Sequence, residues 1–339
     1  MHAPTLKLGL IGAGRIGRLH ADHLTTRIPA VEVLMVADAF EAAARECAER
    51  CAISDFSQDY RDVLARPDIE AVIICSSTDT HARVIKEAAQ AGKHIFCEKP
   101  IALDLSSIDD ALAEVEQAGV ALQVGFNRRF DASYRRVRRA LEEDEIGTPL
   151  VVHITSRDPE PPPLEYIRVS GGIFLDMTIH DFDMARYLIG SEVEEVSAFA
   201  HALDAPDIAD AGDVSNAIVL LRFTNGVIGT ISNSRHAPYG YDQRVEVLGS
   251  RGAISLENSY PNTAIISDAH SVRRDLPLHF FTERYGESFV AEMAAFVECV
   301  RSGTPVPVSG SDGRAPVVMA LAAQKSLLEH RPVRLSEIE

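Results

Sequence analysis

The stretch from Gly171 to Asp183 contains the residue types that acid–base chemistry needs. Asp176 and His180 are four positions apart, so on a helix both side chains lie on one face. A carboxylate beside an imidazole can orient the ring and raise its basicity, which suits a general base working near neutral pH. The same pattern also fits a buried helix with a capping aspartate and a hydrogen-bonded core histidine. The pair alone does not decide between these interpretations.

A glycine-rich loop near the start of the chain predicts a nucleotide-binding unit. An apolar run, Leu6–Ile11, leads directly into Gly12-Ala13-Gly14-Arg15-Ile16-Gly17, and a helical pattern follows. A second apolar run, Val31–Ala37, ends at Asp38. Strand, glycine loop, helix, strand and acid in this order form the dinucleotide-binding arrangement of a Rossmann domain.

Each part of this arrangement has a physical role. The glycines permit a tight turn, close approach of the backbone to a pyrophosphate, and packing of helix against strand. The pyrophosphate would lie at the helix N-terminus, where unpaired amides favour an anion. Asp38 would accept hydrogen bonds from the ribose and repel a 2′-phosphate, which favours NAD over NADP. The loop residues expected to bind the cofactor with Asp38 are Gly12, Gly14, Arg15 and Ile16.

Further polar residues follow the next apolar runs of the same unit. The continuous run Glu70–Cys75, typical of a buried parallel strand, precedes Ser76, Thr78 and His81. We expect these three, with Glu98, to lie near the cofactor, although a solvated histidine at a helix start is an equal alternative for His81. Lys99 follows Glu98 and could bond a reacting oxygen, or could be an ordinary surface lysine. Pro100 makes a cis peptide bond possible there.

The character of the chain changes after about residue 123. Short strand patterns follow one another, and Thr224-Asn225-Gly226 and Gly249-Ser250-Arg251-Gly252 are typical hairpin turns between them. We therefore predict an α/β protein with two domains: a Rossmann domain at 1–123 and an α+β domain at 124–339 with a largely antiparallel sheet. One face of that sheet should carry helices, and the other could pair with another subunit.

Composition excludes several classes of protein. The 339 residues carry a net charge of -17, which argues against binding nucleic acid or anionic membranes. The five cysteines lack the paired spacing of a zinc site, and no metal is expected. No signal-peptide pattern and no run approaching the length of a membrane span occurs, so we expect a soluble cytoplasmic protein.

Together these residues resemble a known family, the Gfo/Idh/MocA oxidoreductases, over essentially the whole chain. The resemblance is carried by the glycine loop, by Glu98-Lys99-Pro100 and by the motif from Gly171 to Leu188. The chain looks most like the inositol 2-dehydrogenases of this family, which implies NAD-dependent oxidation of myo-inositol at C2 to scyllo-inosose. It also implies a homo-oligomer, either a dimer or a tetramer. The implied catalytic residues are Lys99, Asp176 and His180, and the other implied substrate contacts are Arg129, Asp183, Tyr239 and Tyr285.

The resemblance also implies a division of work. His180 would take the hydroxyl proton while Asp176 holds the imidazole, and Lys99 would bond the same oxygen. We therefore expect Lys99 and His180 to approach one shared oxygen position. The alternatives are a dehydrogenase of another inositol isomer or of a pyranose sugar such as glucose, and a non-enzymatic sensor of NAD and sugar. A metal hydrolase built on Asp176, His180 and Asp183 is a further alternative, but it would leave the glycine loop unexplained.

Overall fold

The computed structural model describes residues 5–338. Its first part alternates strands and helices, as the apolar runs predict. In chain order these elements are β1 Leu6–Ile11, α1 Arg15–Thr26, β2 Val31–Ala37, α2 Glu41–Cys51, β3 Asp55–Ser57, α3 Tyr60–Ala65, β4 Ala71–Ile74, α4 Thr78–Gln90, β5 His94–Glu98, α5 Leu105–Ala118 and β6 Leu122–Gly125.

The second part is richer in strands. After a 3₁₀ turn, Asn127–Phe130, it contains α6 Ala132–Glu142, β7 Pro149–Arg157, α7 Leu164–Ile167, a π-helical turn Phe174–Thr178, α8 Ile179–Ile189, β8 Val193–His201, α9 Pro206–Asp210, β9 Asn216–Phe223, β10 Ile228–Ser234, β11 Asp242–Gly249 and β12 Gly252–Leu256. It closes with β13 Ile265–Ser267, β14 Val272–Arg274, α10 Phe281–Arg284, α11 Gly286–Ser302, α12 Gly310–Glu329, β15 Val333–Arg334 and a 3₁₀ turn Leu335–Glu337.

The first six strands form one parallel sheet in the order β3-β2-β1-β4-β5-β6. This is the strand order of a Rossmann domain, and it confirms the predicted fold class for this part of the chain. All four residues of β4 are buried, as a continuous apolar run between two helical layers requires. The strand order reverses between β1 and β4, which is where such sheets bind ligands.

The chain divides into two compact units, and the first one is discontinuous. Among the described residues it contains 5–127 and 287–315, whereas the second contains 128–286 and 316–338. The sequence predicts a division at 123/124, which places this returning segment in the second domain. The segment belongs to the first unit because the apolar face of α11 completes the core there. Met293, Phe296 and Val297 are buried in the same cluster as Leu8 and Phe96.

The second unit is built on a seven-stranded sheet in the order β12-β11-β7-β10-β9-β8-β15. Neighbouring strands are antiparallel except for β7 and β10, which pair in parallel. The prediction of a largely antiparallel sheet is confirmed. Burial alternates along β9, so one face of this strand is covered and the other is open. Strands β13 and β14 form a separate two-stranded ribbon.

Within residues 5–338, the helices are all too short or too polar to span a lipid bilayer.

Candidate active site

The glycine loop of the first unit contains two positions where no side chain would fit. Gly12 has a φ of +99°, and a Cβ there would lie 2.4 Å from the carbonyl carbon of Cys75. A Cβ on Gly17 would lie 1.9 Å from the backbone oxygen of Gly12. Gly14 differs, because its missing Cβ faces open space with no atom within 4 Å. The loop is therefore packed against the protein at Gly12 and Gly17 and open at Gly14, as backbone contact with a ligand requires.

Asp38 closes the loop from the end of β2. Its Oδ2 accepts a hydrogen bond from the Ala13 N–H at 2.7 Å, and its Oδ1 accepts one from the Phe40 N–H at 2.8 Å. Helix α1 begins after Gly14 without a side-chain cap and without an acid in its first turn. An uncapped helix N-terminus beside an open glycine and a fixed carboxylate fits a dinucleotide, with the pyrophosphate on the helix and the ribose on Asp38.

The loop after β4 is held from below by His81. This histidine is buried, with Nδ1 2.8 Å from the Pro100 oxygen and Nε2 3.0 Å from the Ser76 oxygen. Burial lowers the pKa of His81, and the two backbone contacts work in the opposite direction. The alternative of a solvated histidine is wrong. His81 connects the Ser76 turn to the Lys99–Pro100 segment, and its direct contact with a cofactor stays a prediction.

The Ser76 turn carries two more of the predicted cofactor residues. The hydroxyl of Ser76 lies 2.7 Å from that of Thr80, one helical turn further along. Thr78 is the first residue of α4 and is partly exposed. Both residues therefore lie where β4 passes into α4, beside the glycine loop that Cys75 contacts. Their contact with a cofactor stays a prediction.

Lys99 directly follows β5, and the Lys99–Pro100 peptide bond adopts the cis form that the sequence left possible. The preceding Glu98 shares a 2.8 Å hydrogen bond with the fully buried His20 of α1. With Glu292 these residues form the one group in residues 5–338 that could offer three metal ligands, within 4.8 Å of one another. The absence of a bound metal stays a prediction.

In the second unit, the segment that carries Asp176 and His180 is not a regular α-helix. Residues Phe174–Thr178 form a π-helical turn that continues into α8. From Ile173 to Ala185 every residue is buried except Asp176 and His180, which are partly exposed. This short π-helical turn is of a kind often found at functional sites. Asp176 and His180 are thus the two side chains of this stretch that are not enclosed in the core.

Asp176 is held by partners that sequence reasoning missed. The hydroxyl of Tyr166 donates to its Oδ1 at 2.8 Å, and Nη1 of Arg235 donates to its Oδ2 at 3.0 Å. Nη2 of Arg235 donates to Asp213 at 3.0 Å. The only sequence signal was the position of Arg235 just after an apolar strand pattern. Nothing local indicated Asp213 or Tyr166.

A buried ion pair lies under the same helix. Nη1 of Arg128 donates to Asp181 Oδ1 at 2.6 Å, and Asn233 donates to Asp181 Oδ2 at 2.7 Å. Asn233 in turn accepts a hydrogen bond from Thr178 at 2.7 Å. Burial raises the pKa of Asp181, and Arg128 opposes this shift. These contacts fasten α8 to the sheet and fix the direction of the helix from which His180 projects.

Two predicted substrate contacts bind each other. Nε and Nη2 of Arg129 donate to the Asp183 carboxylate at distances between 2.6 and 3.0 Å, and Asp183 is buried. The Arg129 guanidinium also lies over the Tyr187 ring, 5.3 Å from its centroid. A substrate hydroxyl in contact with these residues would therefore bind to one ion pair and not to two independent charged groups. Their role in binding substrate stays a prediction.

The two predicted tyrosines have different surroundings. Tyr239 is exposed, and its hydroxyl donates to Asp242 at 2.7 Å. Tyr285 is buried, edge-on to Tyr241 with ring centroids 6.0 Å apart, and the Arg284 guanidinium lies over its ring. Tyr285 therefore packs against protein groups, and contact of either tyrosine with a substrate stays a prediction.

Asp158 follows β7, and the sequence alone predicts no role for it. Its backbone is fastened by hydrogen bonds to the Ser234 oxygen and from the Ala237 N–H. Burial, and then the charge of Asp176, raise the pKa of Asp158 to about 6. A carboxyl group that titrates near neutrality beside Asp176 is typical of a binding or catalytic site.

These features define the class of protein. A Rossmann unit with an open glycine loop, followed by an α+β unit carrying an aspartate–histidine pair, is the architecture of a dinucleotide-dependent oxidoreductase. Residues 6–126 match the family model described as an oxidoreductase family with an NAD-binding Rossmann fold, and residues 134–255 match the GFO/IDH/MocA C-terminal domain. The chain belongs to the Gfo/Idh/MocA oxidoreductase family.

Individual relatives extend along the whole chain. It is 47% identical over 333 residues to the myo-inositol 2-dehydrogenase of Thermotoga maritima, covering 98% of this chain and 99% of that protein. It is 38% identical to the NAD(+)-dependent scyllo-inositol 2-dehydrogenase of Bacillus subtilis, covering 97% and 96%. The crystal structure of the Lactobacillus casei myo-inositol dehydrogenase with NAD(H) and myo-inositol has a TM-score of 0.88 and 25% identity, covering 97% of this chain and 96% of that one.

Proposed function

We propose that this protein oxidises myo-inositol at C2 to scyllo-inosose, with NAD as the acceptor of the hydride. The observation that carries this proposal is the exposure pattern of the π-helical segment. Asp176 and His180 alone are partly exposed in an otherwise buried stretch from Ile173 to Ala185, in a chain whose other unit has the glycine loop and Asp38 of a dinucleotide site.

The proposed mechanism assigns one task to each residue. His180 accepts the hydroxyl proton of the substrate as the C–H bond breaks, and the hydride goes to the bound NAD. Asp176 holds the imidazole in the orientation that this transfer needs. Lys99 donates a hydrogen bond to the same oxygen and stabilises its developing negative charge. A general base contributes roughly 10²–10⁴-fold, and positioning and charge stabilisation supply the remainder.

A panel of polyols and sugars, each offered with NAD and with NADP, tests the proposal by the appearance of reduced cofactor. We expect myo-inositol with NAD to give the highest kcat/KM. His180→Ala and Lys99→Ala should each lower kcat by roughly 10²-fold or more, with little change in NAD affinity. His270→Ala, at an exposed position, and Lys86→Ala, at a partly exposed position where the ammonium pairs with Asp110, are the matched controls outside the site. Near-normal turnover in His180→Ala or Lys99→Ala would refute the assignment.

A second candidate substrate is scyllo-inositol, since a relative with 38% identity is named for it. The two isomers differ only in the configuration of the C2 hydroxyl. The same panel separates them, because an enzyme specific for one isomer will have the higher kcat/KM for it at equal cofactor concentration.

We further propose that the protein is a cytoplasmic homo-oligomer, a dimer or a tetramer. Large apolar side chains are exposed on neighbouring strands of the second sheet, among them Phe199 on β8, Ile218 and Leu220 on β9, and Ile228 on β10. An apolar patch of this kind is costly in water and is typical of a subunit interface. Light scattering should give a multiple of 36.9 kDa for the wild type and a smaller particle for Phe199→Glu. The five cysteines are free thiols, which fits a reducing compartment.

A further inference from the structure

Arg235 has no catalytic role in the proposed mechanism, but its guanidinium contacts Asp176 of the proposed site. We propose that Arg235 is a positioning residue: it fixes the Asp176 carboxylate in the place and orientation from which Asp176 can hold His180. This inference rests on the proposed function, in which Asp176 orients the general base.

The Arg235 side chain is buried and paired with two acidic groups. It is 1% exposed and bridges two carboxylates, with Nη1 3.0 Å from Asp176 Oδ2 and Nη2 3.0 Å from Asp213 Oδ2. Its Nε is buried and has no hydrogen-bond partner within residues 5–338. A buried donor without a partner costs stability, so the hydrogen bonding of Nε does not account for a guanidinium at this position. What the guanidinium does here is hold two acidic groups at one turn.

Asp213 connects the guanidinium to the beginning of the π-helical turn. Its Oδ1 accepts a hydrogen bond from the Ile173 N–H at 3.0 Å. The neighbouring Gly172 has a φ of +82°, and a Cβ there would lie 3.0 Å from the same oxygen. Arg235 therefore links the entrance of the turn, through Asp213, to Asp176 in its middle. Arg235 thus anchors the turn directly at Asp176 and, through Asp213, at Ile173.

The remaining oxygen of Asp176 is engaged as well. Tyr166 donates its hydroxyl proton to Oδ1, while Arg235 occupies Oδ2. A carboxylate held at both oxygens cannot rotate about its last bond without breaking one of these contacts. Partial burial of its hydroxyl and then the charge of Asp176 raise the pKa of Tyr166, so its phenol keeps the proton that it donates.

The charges support the same role. Burial tends to lower the pKa of Arg235, but the charges of Asp176 and Asp213 outweigh it, and the net direction is upward. The guanidinium therefore stays cationic and offers Asp176 a fixed positive partner. Lysine could supply the charge, but only the planar guanidinium can bridge two carboxylates with two separate N–H groups. The position thus favours arginine for its shape as well as its charge.

The test compares three variants of the full-length protein. In Arg235→Met, which keeps an unbranched stem in place of the aliphatic part of arginine and removes the guanidinium, we expect kcat for myo-inositol to fall by roughly 10²-fold. KM for the polyol and Kd for NAD should stay within about threefold. Arg235→Lys should recover part of kcat because it restores the charge but not the bridge. Arg244→Met is the matched control, since Arg244 pairs with Asp242 at 2.7 Å and not with Asp176.

A spectroscopic measurement separates this inference from the proposed function. The ¹⁵N signals of the His180 ring, assigned with His180→Gln, report its tautomer and hydrogen bonding without any substrate. We expect them to change in Arg235→Met and to remain as in the wild type in Arg244→Met. If the wild type oxidises no polyol, the proposed function fails, and the ring signals alone decide about Arg235.

Two results would overturn the inference. One is Arg235→Met with kcat within threefold of the wild type and unchanged His180 signals. The other applies if Arg235→Met does not fold: Arg235→Lys with full kcat and wild-type His180 signals would then show that bridging is not needed. A lowered kcat in Arg235→Lys with KM preserved would support it.

Discussion

Replacing Asp158 by asparagine should stabilise the protein at neutral pH and leave it nearly unchanged in acid. The pKa of Asp158 is raised from 3.8 to about 6 in the folded chain, first by burial and then by Asp176, with Arg128 and Arg235 opposing. Between these two values the folded state binds more protons than the unfolded state, so stability falls as the pH rises through that window. Above about pH 6 the folded protein bears the whole free-energy cost of ionising Asp158. Asparagine has nearly the same shape and never ionises, so it removes the cost.

The magnitude follows from the difference between the two pKa values. From 3.8 to about 6 is roughly 2.2 units, and each unit corresponds to about 1.36 kcal/mol, which gives about 3 kcal/mol in favour of Asp158→Asn at neutral pH. At about pH 4 Asp158 is protonated in most of the folded molecules. The difference in unfolding free energy between Asp158→Asn and the wild type should then shrink to well below 1 kcal/mol.

Urea unfolding followed by circular dichroism measures this difference, since the chain has no tryptophan to report by fluorescence. Measurements at about pH 4 and about pH 7.5 avoid the isoelectric point near 5.1, where solubility is lowest. Glu160→Gln replaces an exposed acid in the same loop and is the control. It should change the free energy of unfolding at neither pH. Equal stability of wild type and Asp158→Asn at both pH values would refute the reasoning.

Three further predictions concern the two units separately. Gly17→Ala should lower Tm strongly, because its Cβ would lie 1.9 Å from a backbone oxygen. Gly14→Ala adds a Cβ in open space, so it should keep Tm. It should weaken NAD binding at least tenfold, which is about 1.4 kcal/mol, as measured by calorimetry. Asp38→Ala should reduce kcat/KM with NAD and raise the relative rate with NADP, since the charge that repels a 2′-phosphate is removed; an unchanged ratio would count against its role. Asp181→Asn should destabilise the protein by about 3–5 kcal/mol in urea unfolding, because it leaves Arg128 buried without its anion.

The parallel sheet and its cofactor loop could be predicted because their signals are local. The glycine loop, the helix behind it and Asp38 lie within 27 residues, and hydrophobic runs between turns identify buried parallel strands without knowledge of their neighbours. The same holds for Lys99 at the end of β5 and for the presence of Asp176 and His180 on one helical segment. These features follow from chain order and side-chain type.

Other features depend on contacts between residues far apart in the chain. Arg235 contacts Asp176 across 59 positions and Asp213 across 22, and no local pattern distinguishes it from a surface arginine. The π-helical turn, the pairing of Arg129 with Asp183 and the return of α11 to the first unit are of the same kind. Residue types and spacing by themselves determined the Rossmann fold and the residues available for chemistry. Packing in three dimensions decided which charged groups pair, because a buried ionised group is costly unless an opposite charge or a hydrogen-bond partner lies beside it.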